Sequence, residues 1–344
     1  MIDIFIPTLL IYCFGMFNLL GIKSAYFINQ LFFLIFGLVV YYVAKKLGRQ
    51  YFYLNSHVFY WLLVAILMIT FMVGLEVRGS RRWLPFYFFN IQPSEILKIF
   101  FILFISQFFS RKQIAVDRKV IFFIYFFYSL IPILIIFKQP DLGNALIYVG
   151  LATVFLLFSD LPKKFFINMM ATILLISPFS WFFLKPYQRS RLLSFISPHL
   201  DPQGTAYNMI QAVITIGSGQ FFGRGLGLGT QSRFYFLPEN HTDFAFASLV
   251  EQFGFFGGFI VISLFAIIIY FLIRRMLVYQ HRSDEEGKSS FLFILGFSTY
   301  FILQVVINMG MNLGLLPVAG VALPFISYGG SSFITFMTGL ALFP

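Results

Sequence analysis

The sequence has few charged residues and almost no cysteine. Of its 344 residues only 11% are Asp, Glu, Lys or Arg, whereas a soluble domain has roughly 25%, and 59% are hydrophobic. A water-soluble globule is therefore excluded. The single cysteine, Cys13, excludes a disulfide framework within the chain. No basic region or small-residue cleavage site precedes the first apolar run, so we expect that run to remain as a helix rather than be removed as a signal peptide.

Apolar runs recur along the sequence, most of them about the length needed to cross a bilayer. They predict an all-α, polytopic membrane protein with about ten spanning helices. We expect a single transmembrane domain over 1–344, with a large outer loop at about 185–242 between the seventh and eighth helices. The runs lie at approximately 4–22, 26–44, 58–75, 93–109, 120–137, 142–159, 165–184, 244–273, 291–313 and 321–343.

The distribution of positive charge predicts the orientation. The net charge of +11 would suggest a nucleic-acid partner on a soluble protein, but here the positive-inside rule is the first explanation, and no nucleic acid is expected. With a cytoplasmic N-terminus, 13 of the 24 Lys and Arg residues fall in inner loops, and the short outer loops hold only Lys23 and Lys138. Both termini are therefore predicted to be cytoplasmic.

Eight basic residues lie on the outer side in this orientation, against the positive-inside bias. They are Arg78, Arg81, Arg82, Lys185, Arg189, Arg191, Arg224 and Arg233. An external anionic ligand would explain their position. The alternative is that long outer loops are translocated whatever their charge, and the charge pattern leaves both explanations open.

The largest outer loop ends in a polar segment, 231–243, which reads QSRFYFLPENHTD. It carries Glu239, His241 and Asp243 directly before an apolar run. Thr242 or Asp243 could simply cap the next helix. Asp243 is also a candidate general base, because the low dielectric of a membrane boundary raises the pKa of a carboxylate, although the helix dipole acts in the opposite direction.

Two further polar segments carry ionisable groups beside predicted helices. Segment 76–83 reads EVRGSRRW; its arginines could clamp a phosphate or belong to an interfacial belt. Segment 92–98 reads QPSEILK, where Glu95 and Lys98 share a helix face and can pair. Such groups in a spanning helix usually face a partner or a cavity, and the alternative is an ion pair that caps the helix near the surface.

A third segment, 138–144, reads KQPDLGN. Asp141 stands in the first turn of the next predicted helix, where an acid suits the helix dipole. We interpret Asp141 as a structural residue.

Glycine and proline mark two stretches of irregular backbone. Six glycines lie between 217 and 229; their main-chain amides could cradle a phosphate, or the stretch could simply be flexible. No strand pattern precedes them, so a dinucleotide-binding fingerprint is excluded. Segment 314–332 interrupts an apolar region and predicts a broken helix or re-entrant loop at a cavity wall, with a surface loop as the alternative.

Taken together, these segments resemble the SEDS family, which comprises RodA, FtsW and SpoVE. The matching stretches are GSRRW at 79–83, QPSEILK at 92–98, QPDLG at 139–143, LPENHTDF at 237–244 and LPFISYGGSS at 323–332. They follow the family's order and cover nearly the whole chain. GTQS at 229–232 and GLLPVAGV at 314–321 look more like the rod-shape branch than the division branch. Asn144 stands where the family usually has a small residue.

The resemblance implies a peptidoglycan glycosyltransferase that polymerises lipid II at the outer face of the bacterial cytoplasmic membrane during cell elongation and shape maintenance. Asp243 falls on the family's essential aspartate and is the predicted catalytic residue. The residues predicted to bind substrate are Arg82, Trp83, Glu95, Lys98, Arg224, Arg233, Glu239, His241 and Ser327.

The same resemblance implies a partner, a class B penicillin-binding protein, which is a transpeptidase with one spanning helix. A divalent cation, Mg²⁺ or Mn²⁺, would suit a pyrophosphate substrate, although no ligand set for it is visible in the sequence. The alternatives are a lipid II flippase, an FtsW-like division enzyme and a non-catalytic scaffold. Polar residues concentrated on the outer side argue against a carrier, which needs a site accessible from both faces.

Overall fold

We describe the protein from a computed structural model that covers residues 2–77, 80–86, 89–111, 116–198, 204, 206–282 and 284–344. Arg78, one of the eight outer basic residues, lies outside the described residues.

Helices dominate the fold, as the apolar runs predict. In chain order they are α1 (Ile2–Ile22), α2 (Ser24–Leu47), α3 (Arg49–Leu54), α4 (Ser56–Val73), α5 (Pro93–Ser110), α6 (Arg118–Lys138), α7 (Leu142–Phe158), α8 (Lys163–Ser180), α9 (Pro186–Ile196), α10 (Tyr207–Ser218), α11 (Thr230–Arg233), α12 (Ala245–Tyr279), α13 (Glu285–Asn312) and α14 (Gly330–Ala341). A 3₁₀ turn, Trp181–Phe183, follows α8. Among the described residues, eight helices are long and apolar enough to cross a membrane. The polytopic, helical class is confirmed.

Two of the ten predicted spans are shorter in the structure. The sixth corresponds to α7, which has 17 residues. The tenth divides into irregular backbone at 313–329 and α14, which has 12 residues. Gly314 and Gly320 have φ values of +71° and +68°, in the left-handed region that ends a helix. The predicted interruption of the helix at 314–332 is therefore confirmed.

A small antiparallel sheet lies between α4 and α5 and was not predicted. It consists of β1 (Leu75–Val77), β2 (Ser80–Phe86) and β3 (Phe89–Ile91), with β2 in the centre. Trp83 is opposite Leu75, and Arg81 is opposite Glu76. Strands this short contain too few residues to give a recognisable alternating pattern.

The chain divides into two compact units, each built from several stretches. The first unit consists of Met1–Phe36, Leu184–Leu272 and Gln304–Phe333; the second consists of Gly37–Phe183, Ile273–Leu303 and Ile334–Pro344. The first unit therefore contains α9 to α11, most of α12 and the irregular segment 313–329. The second contains the sheet and α3 to α8.

In the first unit, α12 is broken at Gly254, which has φ +72° and ψ −175°. The glycine-rich segment that precedes α11 lies against this break. The main-chain amides of Phe255 and Phe256 donate to the oxygens of Gln220 and Phe221 at 2.8 and 3.1 Å. These bonds replace helical bonds that the break removes, which satisfies the backbone groups inside the fold.

Close approach of main chain explains glycine at this contact. A Cβ on Gly223 would lie 2.2 Å from the oxygen of Gln252, and a Cβ on Gly254 would lie 2.3 Å from the nitrogen of Gly223. The sequence suggested a phosphate cradle or a flexible stretch here. The structure instead shows this part of the stretch packed tightly against α12.

Candidate active site

The HTD segment, His241 to Asp243, forms a turn directly before α12 in the first unit. Its main chain is held by the irregular segment that follows α13. The oxygen of His241 accepts from the amide of Tyr328 at 2.7 Å. The oxygen of Thr242 accepts from the hydroxyl of Ser327 at 2.6 Å, and the same hydroxyl accepts from the amide of Leu323 at 2.8 Å. Ser327, predicted to bind substrate, thus has a positioning contact in the structure.

The main-chain oxygen of Asp243 is held by two asparagines of α13. Asn308 and Asn312 each donate to it at 3.0 Å. Asn312 also accepts from the main-chain amide of Ala247 at 3.0 Å. Both asparagines are fully buried, whereas Asp243 is half-buried. The backbone of Asp243 is therefore fixed, and its side chain is partly accessible.

Two aromatic rings pack around His241. Its ring stacks on Tyr26 with the centroids 4.3 Å apart and an interplanar angle of 7°, and the ring of Tyr328 lies 5.8 Å away. Its Nδ1 is 3.3 Å from the side-chain oxygen of Asn240. These contacts set the ring orientation two residues before Asp243.

Glu239 closes the turn from the other end. Its carboxylate accepts from the hydroxyl of Thr242 at 2.6 Å, and its main-chain oxygen accepts from the amides of Thr242 and Phe244, both at 3.1 Å. Glu239 has φ +54°, an unusual conformation for a residue with a side chain. The turn from Glu239 to Phe244 is thus held by hydrogen bonds between its own residues.

A buried carboxylate on α12 anchors the short helix that leads into this turn. Glu251 is fully buried and accepts from the amides of Gln231 and Ser232 at 2.8 and 2.9 Å, and from the Ser232 hydroxyl at 2.6 Å. The oxygen of Ser232 in turn accepts from the side chain of Asn240 at 2.5 Å. Glu251 therefore supports the residue that contacts His241.

The two arginines predicted to bind an anion lie on the surface of the first unit. Arg224 donates to the oxygen of Ser218 at 2.8 Å, and Arg233 donates to the oxygen of Gly227 at 3.2 Å. Both side chains are exposed. Because a guanidinium has several N–H donors, each can bind an oxyanion while keeping its main-chain contact.

The remaining predicted residues lie in the second unit. Arg82 on β2 is half-buried and forms an ion pair with Asp141 at 3.5 Å. Asp141 also caps α7, where it accepts from the main-chain amide of Asn144 at 3.3 Å, and it accepts from Gln92 at 3.0 Å. The structural interpretation of Asp141 is confirmed, and Arg82 is its cation. Trp83, the neighbour of Arg82, is half-buried.

Glu95 and Lys98 form the ion pair that their spacing predicts. Lys98 donates to Glu95 at 2.6 Å, and the Tyr300 hydroxyl lies 3.4 Å from the other carboxylate oxygen. Lys98 is 0% and Glu95 5% exposed, so the pair lies inside the second unit and not at its surface. The alternative of a surface ion pair is therefore wrong. The predicted role in substrate binding stays a prediction.

The ten predicted site residues thus form two groups. The first unit holds Asp243, Arg224, Arg233, Glu239, His241 and Ser327, and the second holds Arg82, Trp83, Glu95 and Lys98. Across the residues that the structure describes, no group of three or more His, Cys, Asp or Glu side chains could hold a metal ion. The divalent cation that the resemblance implies stays a prediction.

Sequence reasoning missed three residues that shape the site: Asn308, Asn312 and Glu251. Each is a polar side chain inside an apolar run, and such residues are costly there unless they have a partner. Two asparagines four residues apart also share one helix face. The sequence therefore showed that these three polar residues need partners, but it did not show which residues those partners are.

The comparisons with known proteins agree with each other. The family described as cell cycle protein, FtsW/RodA/SpoVE, matches residues 2–343. A probable peptidoglycan glycosyltransferase FtsW from Hydrogenovibrio crunogenus is 30% identical over 327 residues, which is 94% of this chain and 82% of that protein. A peptidoglycan glycosyltransferase MrdB from Helicobacter pylori is 36% identical over 309 residues, 89% of this chain and 77% of that protein.

A solved structure matches as well. It belongs to a peptidoglycan synthase complex described as coordinating polymerization and crosslinking, with TM-score 0.81 and 27% identity, and the match covers 98% of this chain and 95% of that one. These matches cover both units, including the segments that carry the two groups of predicted site residues.

Proposed function

The chain belongs to the FtsW/RodA/SpoVE family and is a peptidoglycan glycosyltransferase, and from this premise we propose that it polymerises lipid II with Asp243 as the general base. In this reaction Asp243 accepts the proton of the attacking sugar hydroxyl as the new glycosidic bond forms. The undecaprenyl diphosphate of the other substrate molecule leaves. The proposed role of the protein during elongation rests on the RodA-like segments.

The observation that supports Asp243 most directly is the way the protein holds it. Its main-chain oxygen accepts two hydrogen bonds from buried asparagines, while its side chain remains half-buried. Two buried asparagine side chains thus fix the backbone of the residue that carries this carboxylate. A catalytic base needs a fixed position, because a small displacement from the reacting atom reduces the rate strongly.

The leaving group requires positive charge. Arg224 and Arg233 are exposed and belong to the same unit as Asp243. We assign them to the diphosphate, since guanidinium groups suit phosphate oxygens and stabilise negative charge that develops in the transition state. A divalent cation, Mg²⁺ or Mn²⁺, is part of the proposal, because oxygen-rich diphosphate groups bind such cations.

The chain is a multi-pass membrane protein. We place it in the bacterial cytoplasmic membrane, with Asp243 at the outer face, from the distribution of basic residues. A class B penicillin-binding protein is the proposed partner. The similarity to a complex that coordinates polymerization and crosslinking supports a transpeptidase in that role.

The test is polymerisation of purified lipid II by the purified protein, with and without the transpeptidase partner. Asp243→Asn should remove glycan synthesis while the protein stays folded and bound to its partner. Asp160→Asn is a matched control, because that carboxylate is exposed and lies in the second unit. Glycan synthesis by Asp243→Asn at the wild-type rate would contradict the proposed base.

The same preparation can test the flippase alternative. Fluorescent lipid II in liposomes reports flipping without polymerisation. If the protein flips lipid II but makes no glycan, either alone or with its partner, that result contradicts the proposed polymerisation.

A further inference from the structure

No main-chain hydrogen bond joins Asp243 to Ala247 at the start of α12. In an α-helix the oxygen of residue i accepts from the amide of residue i+4. Asp243 and Ala247 have this spacing, yet the carboxamide of Asn312 bridges them. Its nitrogen donates to the Asp243 oxygen and its oxygen accepts from the Ala247 amide, both at 3.0 Å. The regular pattern begins one residue later, where the amide of Ser248 donates to the oxygen of Phe244 at 3.1 Å.

Asn308, one turn earlier in α13, strengthens the bridge. Its side chain donates to the same Asp243 oxygen at 3.0 Å and to the oxygen of Val321 at 2.7 Å. A carbonyl oxygen has two lone pairs, so the two asparagines fill the acceptor capacity of Asp243. Both are fully buried, and bulk water does not compete with these bonds.

We propose that Asn312 is a positioning residue that keeps Asp243 out of the N-cap position of α12. If the Asp243 oxygen accepted directly from the Ala247 amide, α12 would begin at Phe244 and Asp243 would be its N-cap. The carboxylate of an N-cap aspartate accepts from a main-chain amide in the first turn, which would turn the Asp243 side chain back onto the helix. Asn312 acts on Asp243 through the main-chain oxygen of that residue, and its side-chain nitrogen also donates to the main-chain oxygen of Asn308 at 2.9 Å. The inference deepens the proposed function, since it rests on Asp243 as the base.

Asparagine is suited to this task because it offers a donor and an acceptor in one planar group. Aspartate would keep the acceptor for Ala247 but place a carboxylate oxygen against the Asp243 oxygen. Leucine has nearly the same shape and offers neither function. Replacement by leucine therefore removes the bridge without opening a large cavity.

The kinetic test compares Asn312→Leu with Gln107→Met in lipid II polymerisation. Gln107 in α5 is also a buried amide, 3% exposed, and it accepts from Ser56, but it lies in the second unit. Asn312→Leu should lower kcat about 100-fold at unchanged KM, and Asn308→Leu should lower it less. Gln107→Met should keep the wild-type kcat. Equal kcat values for Asn312→Leu and Gln107→Met would overturn the proposal.

A second readout is independent of catalysis. Cys13 is the only cysteine, so Cys13→Ser combined with Asp243→Cys gives a single thiol at the position of the base. Adding Asn312→Leu should change the maleimide labelling rate several-fold, whereas adding Gln107→Met should leave it unchanged. An unchanged rate with Asn312→Leu would overturn the proposal even where activity falls.

The two readouts separate this inference from the proposed function. If Asn312→Leu changes labelling but Asp243→Asn still polymerises lipid II, the bridge stands and the catalytic role of Asp243 fails. Should Asn312→Leu not fold, Asn312→Asp replaces it in both assays, since it loses the donor and keeps the acceptor. A wild-type kcat for folded Asn312→Asp would also overturn the proposal.

Discussion

The guanidinium of Arg82 lies 3.5 Å from the carboxylate of Asp141 and also donates to the main-chain oxygens of Gln139 and Pro140. Arg82 therefore binds both the cap of α7 and the turn before it. Segments 76–83 and 138–144, which suggested separate roles in the sequence, therefore contribute to one cluster in the second unit.

We expect Arg82→Ala and Asp141→Asn to be strongly non-additive in stability. Loss of the arginine leaves a carboxylate that is only 1% exposed without its cation, whereas the double variant removes both charges. A coupling free energy of about 2 kcal/mol is expected from unfolding of the four proteins in detergent. The Arg81–Glu76 pair is the matched control, because both side chains are about half exposed and should couple by less than about 0.5 kcal/mol. Equal coupling in the two pairs would contradict the prediction.

The Glu95–Lys98 pair should behave as a buried unit. Lys98→Met leaves a carboxylate inside the second unit without its cation and should destabilise the protein by about 3 kcal/mol. Combining it with Glu95→Gln removes the remaining charge, so the double variant should recover most of that loss. Thermal unfolding of the purified single and double variants measures the loss of stability and its recovery. Full polymerisation by the folded double variant would contradict the predicted role of the pair in substrate binding.

Glu251→Gln should destabilise the first unit by about 2 kcal/mol. The amide group that replaces one carboxylate oxygen would present N–H groups to donors of Gln231 or Ser232, which leaves buried donors unpaired. Glu286→Gln is the control, since Glu286 is exposed and should give the wild-type melting temperature. Thermal unfolding followed by circular dichroism checks both variants, and a wild-type melting temperature for Glu251→Gln would count against the anchoring role.

Alanine at two glycines should have opposite effects. Gly254→Ala forces a side chain onto a residue with φ +72° and against the main chain of Gly223, so we expect clear destabilisation. Gly217 lies in α10, where an added Cβ meets nothing within 4 Å. Gly217→Ala should stabilise the protein by about 0.5 kcal/mol, because alanine favours helix. The melting temperatures of the two variants measure these effects. Equal melting temperatures for Gly254→Ala and Gly217→Ala would show that the fold does not depend on the close approach of Gly254 to Gly223.

Local patterns in the sequence were sufficient for some features of the site. The HTD turn before a helix, the structural acid Asp141 at the start of α7, and the Glu95–Lys98 pair each involve residues a few positions apart, and the structure shows all three, with Asp141 as the N-cap rather than in the first turn. The break at 314–332 also followed from local glycine and proline. The small sheet was missed, because its strands are too short to show a period.

The sequence by itself determined the membrane class, the helices and the family, because these depend on apolar length, charge distribution and local sequence patterns. The tertiary structure decided what holds Asp243. Asn312 lies 69 positions from Asp243 in the chain, and only folding brings them together. A buried amide needs a donor or acceptor, but nothing in the local sequence specifies which distant backbone group will supply it.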